Sequence, residues 1–159
     1  MKIRILAIGK LKEKYWREAI AEYEKRLGPY LKLEILEGGE EEAPENLSDR
    51  EKDVALAKEG RFFLSKMKEG DYNIALDLNG EMESSEGLAR LIEKNAMERG
   101  KTVNFLIGGS LGLAEEVNGR CQKQVAFGRA TFPHQLIRVF LVEQIYRSMK
   151  IIRREPYHK

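Results

Sequence analysis

The segment Val103-Asn104-Phe105-Leu106-Ile107 runs straight into Gly108-Gly109-Ser110-Leu111-Gly112. An apolar strand that empties into a glycine turn brings bare backbone amides and carbonyls to a sheet edge, where α/β proteins hold ligands. Glycine turns also end strands where no ligand binds, so the feature admits both a small-molecule site and plain turn chemistry. Further on, Phe127-Gly128-Arg129-Ala130-Thr131-Phe132-Pro133-His134 opens a long apolar helix that ends in Arg153-Arg154-Glu155-Pro156-Tyr157-His158-Lys159.

Around that feature the sequence alternates strand and helix patterns. Lys2 to Ile8 reads as a half-buried strand. Trp16, Ile20, Tyr23 and Leu27 share one helical stripe, which Gly28-Pro29 stops. Leu31, Leu33 and Ile35 alternate as a second strand, and residues 38–46 form an acidic, glycine-bearing loop. Ser48-Asp49-Arg50-Glu51 predicts a capping box on a helix running to about Lys68. A third strand is expected over Asn73–Leu78, closing with Asp77, Asn79 and Gly80. A helix follows from Ser84 or Ser85 to Arg99-Gly100, then the strand at 103–107, a short helix near 114–118, a strand at 124–127 and the final helix. Strands separated by helices predict a single α/β domain, with a mostly parallel sheet flanked by helices on both faces. A chain of 159 residues is long enough to bury one core of its own. No internal repeat or second domain is evident.

Composition narrows the function classes. With 42% apolar and 34% charged residues the chain reads as globular. The N-terminal apolar run falls short of the roughly 7–15 residues of a signal peptide, so a cytoplasmic protein with no membrane association is expected. Cys121 is the single cysteine, which excludes an internal disulfide, and nothing beside it suggests an activated nucleophile. Two histidines without clustered Cys or Asp/Glu ligands argue against a dedicated metal site. Net charge is only +2, yet it is unevenly spread. Residues 1–33 carry 9 Lys/Arg against 4 Asp/Glu, residues 34–127 carry 12 against 20, and residues 128–159 carry 7 against 2. The segments are therefore +5, −8 and +5, and two basic ends that meet in space would attract polyanions.

Arg138 stands out within the final helix. It shares a stripe with Val142, Ile145 and Met149, where an unpaired guanidinium is costly. It is read either as snorkelling or salt-bridged to Glu143 or another acid, or as an interface group awaiting a phosphate or a base. The glycine turn has neither the spacing nor the lysine of a P-loop, and no G-x-G-x-x-G follows a strand. S-adenosylmethionine, which has no phosphates, is compatible with such turns and with apolar residues such as Leu76, Phe127 and Phe132.

Six spaced motifs now stand in order: Gly9-Lys10-Leu11-Lys12; Tyr23-Glu24-Lys25-Arg26-Leu27; Ile107-Gly108-Gly109-Ser110 with Gly112; Thr131-Phe132-Pro133-His134; Glu143-Gln144-Ile145-Tyr146-Arg147; and Pro156-Tyr157-His158. Together they resemble the bacterial ribosomal RNA large-subunit methyltransferase H family, the pseudouridine N3-methyltransferases of the SPOUT class, over essentially the whole chain. The resemblance implies a C-terminal trefoil knot, a homodimer, S-adenosylmethionine as cofactor, and methylation of a pseudouridine in 23S ribosomal RNA on the assembled ribosome. Carried over by position, it implies cofactor contacts at Leu76, Gly108, Phe127, Gly128, Arg129, Ala130, Thr131 and Phe132. His134, Arg138, Tyr157 and His158 match the positions near the target base, with His134 as the candidate to accept or relay a proton. A SPOUT enzyme acting on transfer RNA and a non-enzymatic ribosome-binding protein of the same fold are the rival readings.

Overall fold

The strand β1 (Lys2–Ile8) sets the layering. Ile3, Ile5 and Ala7 project into one core and Leu6 and Ile8 into another, because successive side chains of a strand point to opposite faces. The computed structural model describes residues 1–159. In chain order β1 is followed by α1 (Lys14–Leu27), β2 (Lys32–Gly38), α2 (Asp49–Lys66), β3 (Tyr72–Met82) and α3 (Ser85–Ile92). Then come β4 (Val103–Ile107), α4 (Glu115–Asn118), β5 (Lys123–Ala126) and α5 (His134–Ile152). All strand pairs are parallel, in the order β2-β1-β4-β3-β5.

The larger core joins the sheet to α1, α3 and α5 through residues such as Phe105, Ile20, Leu88 and Ile145. The smaller one joins Leu6, Ile8 and Leu106 to Phe63 of α2 and Val117 of α4. α5 therefore has neighbours on both flanks, α1 and α3, which explains why its apolar residues wrap so far around it.

Local signals behave as the sequence suggests in several places. The capping box forms: Glu51 N–H donates to Ser48 Oγ at 3.2 Å and Ser48 N–H to Glu51 Oε2 at 2.7 Å. Gly28 N–H closes α1 on the Glu24 carbonyl at 3.0 Å. The expected helix after Ser84 relaxes after Ile92 into a π-helical segment, Glu93–Glu98, around the buried Asn95, whose Nδ2 donates to the Leu91 carbonyl at 2.9 Å. α5 ends where Arg154 adopts φ 55°, a left-handed turn that folds the tail back along the helix. No helix is long and apolar enough to cross a membrane.

Candidate active site

A cavity of about 570 Å³ opens at the C-terminal ends of β3, β4 and β5, within the roughly 300–1,000 Å³ of small-molecule sites. Three backbone-rich segments wall it: Leu76–Asn79, Ile107–Leu113, and Val125–Gly128 with Thr131 and Phe132. His134 and Ile137 of the first turn of α5 complete the lining.

The glycine turn folds upon itself. A Cβ on Gly108 would lie 2.3 Å from the Gly112 carbonyl oxygen, and Gly112 itself sits at φ +79°. Gly112 N–H donates to the Gly109 carbonyl at 3.0 Å. Behind the turn, a Cβ on Gly109 would lie 3.1 Å from Ile8 Cγ2 and 3.1 Å from the Glu59 carboxyl. At Gly108 and Gly109 the turn thus presents main chain, with no room for a side chain.

The second wall departs from the sequence reading. β3 does not close at Gly80; its pairing with Val125 of β5 jumps from Leu76 to Glu81, leaving Asp77–Gly80 as a bulge. Bulges next to binding sites re-aim side chains, and this one puts Asp77 and Asn79 on the cavity wall. Asn79 N–H donates to Asp77 Oδ1 at 2.8 Å and fixes the carboxylate. Gly80 is required by close approach, since a Cβ there would lie 2.8 Å from the backbone of Gln124 and Val125. Asp77 is a cavity-lining carboxylate that the sequence reading treated only as the end of a strand. An Asp-x-Asn-Gly run at a strand end was the available signal, but turn and bulge share that composition.

The third wall brings Phe127, Gly128, Thr131 and Phe132 to the cavity. Phe127 and Phe132 lean on Phe140 of α5, with ring centroids 5.2 and 6.0 Å apart. Arg129 and Ala130 are exposed and do not line it. Instead Arg129 latches the loop to the bulge, its Nη1 donating to the carbonyls of Leu78 and, at 2.9 Å, of Gly80.

The four residues expected near the target base part company. His134 lines the cavity. Arg138, one turn on, is 1% exposed and faces away from it, Nη1 donating to Glu37 Oε1 at 3.1 Å and Nη2 to the Gly9 carbonyl at 3.1 Å. Burial lowers its pKa while Glu37 opposes the shift, and a guanidinium stays charged regardless. Its acid is thus Glu37, not Glu143. Tyr157 donates to Glu143 Oε1 at 3.0 Å and packs edge-on to Tyr146 with centroids 4.9 Å apart. Burial, followed by that bond, pushes Tyr157 up to about 12, so it is a phenol at neutral pH. His158 pairs with Glu86 Oε1 at 2.9 Å and lies 3.3 Å from Arg147. Glu143 stands nine residues beyond His134 on α5, about 13 Å at the helical rise. Cys121 is held by burial at about 11, a thiol rather than a thiolate.

The lining decides what chemistry the cavity suits. It contains no lysine or arginine, one carboxylate in Asp77 and one imidazole in His134. Phosphates find no cation there, whereas a positively charged or zwitterionic ligand with an apolar ring finds a carboxylate, main-chain groups and the Phe127 and Phe132 rings. S-adenosylmethionine fits that donor set: it carries a sulfonium, an ammonium and an adenine, and no phosphate.

The fold is similar to a probable methylase family protein from Haemophilus influenzae Rd KW20, with a TM-score of 0.54 at 11% sequence identity, covering 99% of this chain and 70% of that one. The family described as predicted SPOUT methyltransferase matches residues 1–158. With a match of that extent, the chain belongs to the SPOUT methyltransferase family.

Proposed function

We propose that the protein methylates N3 of a pseudouridine in 23S ribosomal RNA on the assembled ribosome, using S-adenosylmethionine. The observation that carries the reading is the cation-free, glycine-walled cavity with His134 at its edge. The six sequence motifs supply the choice of substrate.

S-adenosylmethionine bound there would supply an activated methyl group for transfer to the ring nitrogen. The chain's own residues bind, orient and deprotonate. The Gly108–Gly112 turn, Leu76, Phe127, Gly128 and Phe132 would hold the adenosine part by main chain and apolar contact, and Asp77 the cationic part. Alignment of the ring nitrogen behind the methyl carbon is the larger contribution to rate. His134 accepts the N3 proton through an imidazole nitrogen.

The same reading includes a homodimer with a trefoil-knotted C-terminal part. Docked on Glu143 and Glu86, Tyr157 and His158 stand too far along α5 to meet a base at their own chain's His134. A second copy would bring its tail to that base and cover Leu78, Met82 and Leu136, which are 40%, 52% and 40% exposed. Arg138 then acts by holding the exit of β1 in place, beside the site.

Mass mapping of methylated nucleosides after reaction with purified ribosomes and with transfer RNA tests the proposal. One methyl group on a pseudouridine of the large-subunit RNA is expected. Methylation of transfer RNA alone would replace the substrate, and absence of any product would leave a non-enzymatic ribosome-binding protein.

A further inference from the structure

Beyond the Arg138 bond to the Gly9 carbonyl, the segment that follows β1 has no role in the mechanism above. We infer that Lys10–Arg17 grips the RNA substrate, Tyr15 stacking on an unpaired base while Lys10, Lys12 and Lys14 meet the neighbouring phosphates; this rests on the RNA-methylation reading.

Tyr15 is 60% exposed, the most exposed large apolar side chain of the fold, and its ring centroid lies 4.9 Å from that of the half-buried Trp16. An aromatic ring left in water at the start of a helix contributes little to folding. Set among cations, it matches the stacking platform that single-stranded RNA uses. Residues 10–17 hold Lys10, Lys12, Lys14 and Arg17 against Glu13 alone, a net +3. Lys10 and Lys12 are exposed and make no ion pair, and Lys14 meets Glu18 only at 3.5 Å with both side chains largely in water.

The segment is held rigid without using those lysines. Arg17 Nη1 donates to the carbonyls of Leu11 at 3.1 Å and Lys12 at 2.5 Å. Gly9, at φ +89°, donates its N–H to the Gly38 carbonyl at 2.9 Å and accepts from Arg138. Leu11 packs on the larger core. A loop fixed in advance loses less entropy when it binds.

Its position is also suitable. Ile8 touches Gly109 of the cavity wall, and Arg138, which clamps Gly9, is one helical turn from His134. The start of the basic segment therefore lies beside the cavity wall. A second copy of this chain is a poorer occupant, because a twofold contact centred here would set the same lysines against each other.

The test compares wild type with Lys10→Ala/Lys12→Ala and with Tyr15→Ala, using a labelled single-stranded RNA and purified ribosomes across a salt series, with S-adenosylmethionine affinity and oligomeric state measured alongside. The double lysine variant should lower the slope of log K against log salt by about 1.4. Tyr15→Ala should weaken RNA binding about ten-fold, and Tyr15→Trp should restore it. Both should raise KM for ribosomes while leaving cofactor affinity, kcat and thermal midpoint unchanged. RNA affinity and salt slope equal to wild type, or a change confined to oligomeric state, would overturn the inference while the methyltransferase reading stands. A wild-type protein that transfers no methyl group to any RNA would overturn both.

Discussion

Two buried carboxyls on the α2 side of the sheet mark its two ends, and they are treated in opposite ways. At the N-terminal end, Asp71 is held through one oxygen: Oδ2 accepts from Arg4 at 3.2 Å, from Asn104 Nδ2 at 2.9 Å and from Lys68 N–H at 3.0 Å. Arg4, Asn104 and Asn73 lie side by side in register across β1, β4 and β3, and Asn104 Nδ2 also donates to Asn73 Oδ1 at 2.7 Å. At the C-terminal end, Glu59 is 4% exposed and its Oε2 has no partner, although it backs directly onto Gly109. The N-terminal end gathers three donors on one carboxylate oxygen, although Arg4 Nε and Asn104 Oδ1 stay without partners; the C-terminal end leaves a buried carboxyl beside bare glycine backbone and a cavity. A charge-centred network contributes stability, whereas an open end contributes a place to bind.

The sharpest way to break this contrast is Asp71→Ala. Removing one partner strands the buried Arg4 and should destabilise the fold by about 3–5 kcal/mol. A urea midpoint measures that loss, and calorimetry on the folded protein should show cofactor affinity unchanged. Gly108→Ala should do the reverse. Its Cβ would overlap the Gly112 carbonyl, costing about 1–3 kcal/mol of stability. By forcing the turn open it should also lower cofactor affinity about 100-fold, or about 2.7 kcal/mol.

The smallest effect is expected at Glu59. Burial raises its pKa above the usual carboxylate value, opposed by a hydrogen bond from the Glu41 backbone and reinforced by the charges of Glu40 and Glu41. Between those two values the native state binds more protons than the unfolded one, so its stability falls as pH rises through that window. Glu59→Gln lacks the penalty and should raise the thermal midpoint by about 2–4 °C at pH 8, which corresponds to about 1 kcal/mol. The gain should shrink toward pH 4, where the carboxyl is protonated in both states. An equal gain at both pH values would show that burial of the charge is not the cause.

What the sequence made legible follows the same division. Elements whose signal is local were readable: the Ser48 capping box, the Gly28-Pro29 stop and the strand into Gly108 all depend on neighbours within a few residues. Features set by distant chain were not. The β3 bulge exists because Gly80 meets β5 some 44 residues on, so nothing around Asp77 distinguished a cavity wall from a strand end. Arg138 was legible as anomalous, but its partner Glu37 comes from the other half of the chain. The tail showed its aromatic and basic character, while its docking on Glu143, Arg147 and Glu86 required the left-handed turn at Arg154.

The central claim is that the open end of the sheet is a cofactor site built for a phosphate-free cation. Isothermal titration of the wild-type protein with S-adenosylmethionine tests it most directly, with Gly108→Ala, Asp71→Ala and a nucleoside triphosphate as comparisons. The account predicts one site per chain, weakened about 100-fold in Gly108→Ala, kept in folded Asp71→Ala, and not competed by the triphosphate. Binding that survives Gly108→Ala at full affinity, or that the triphosphate displaces, would contradict it.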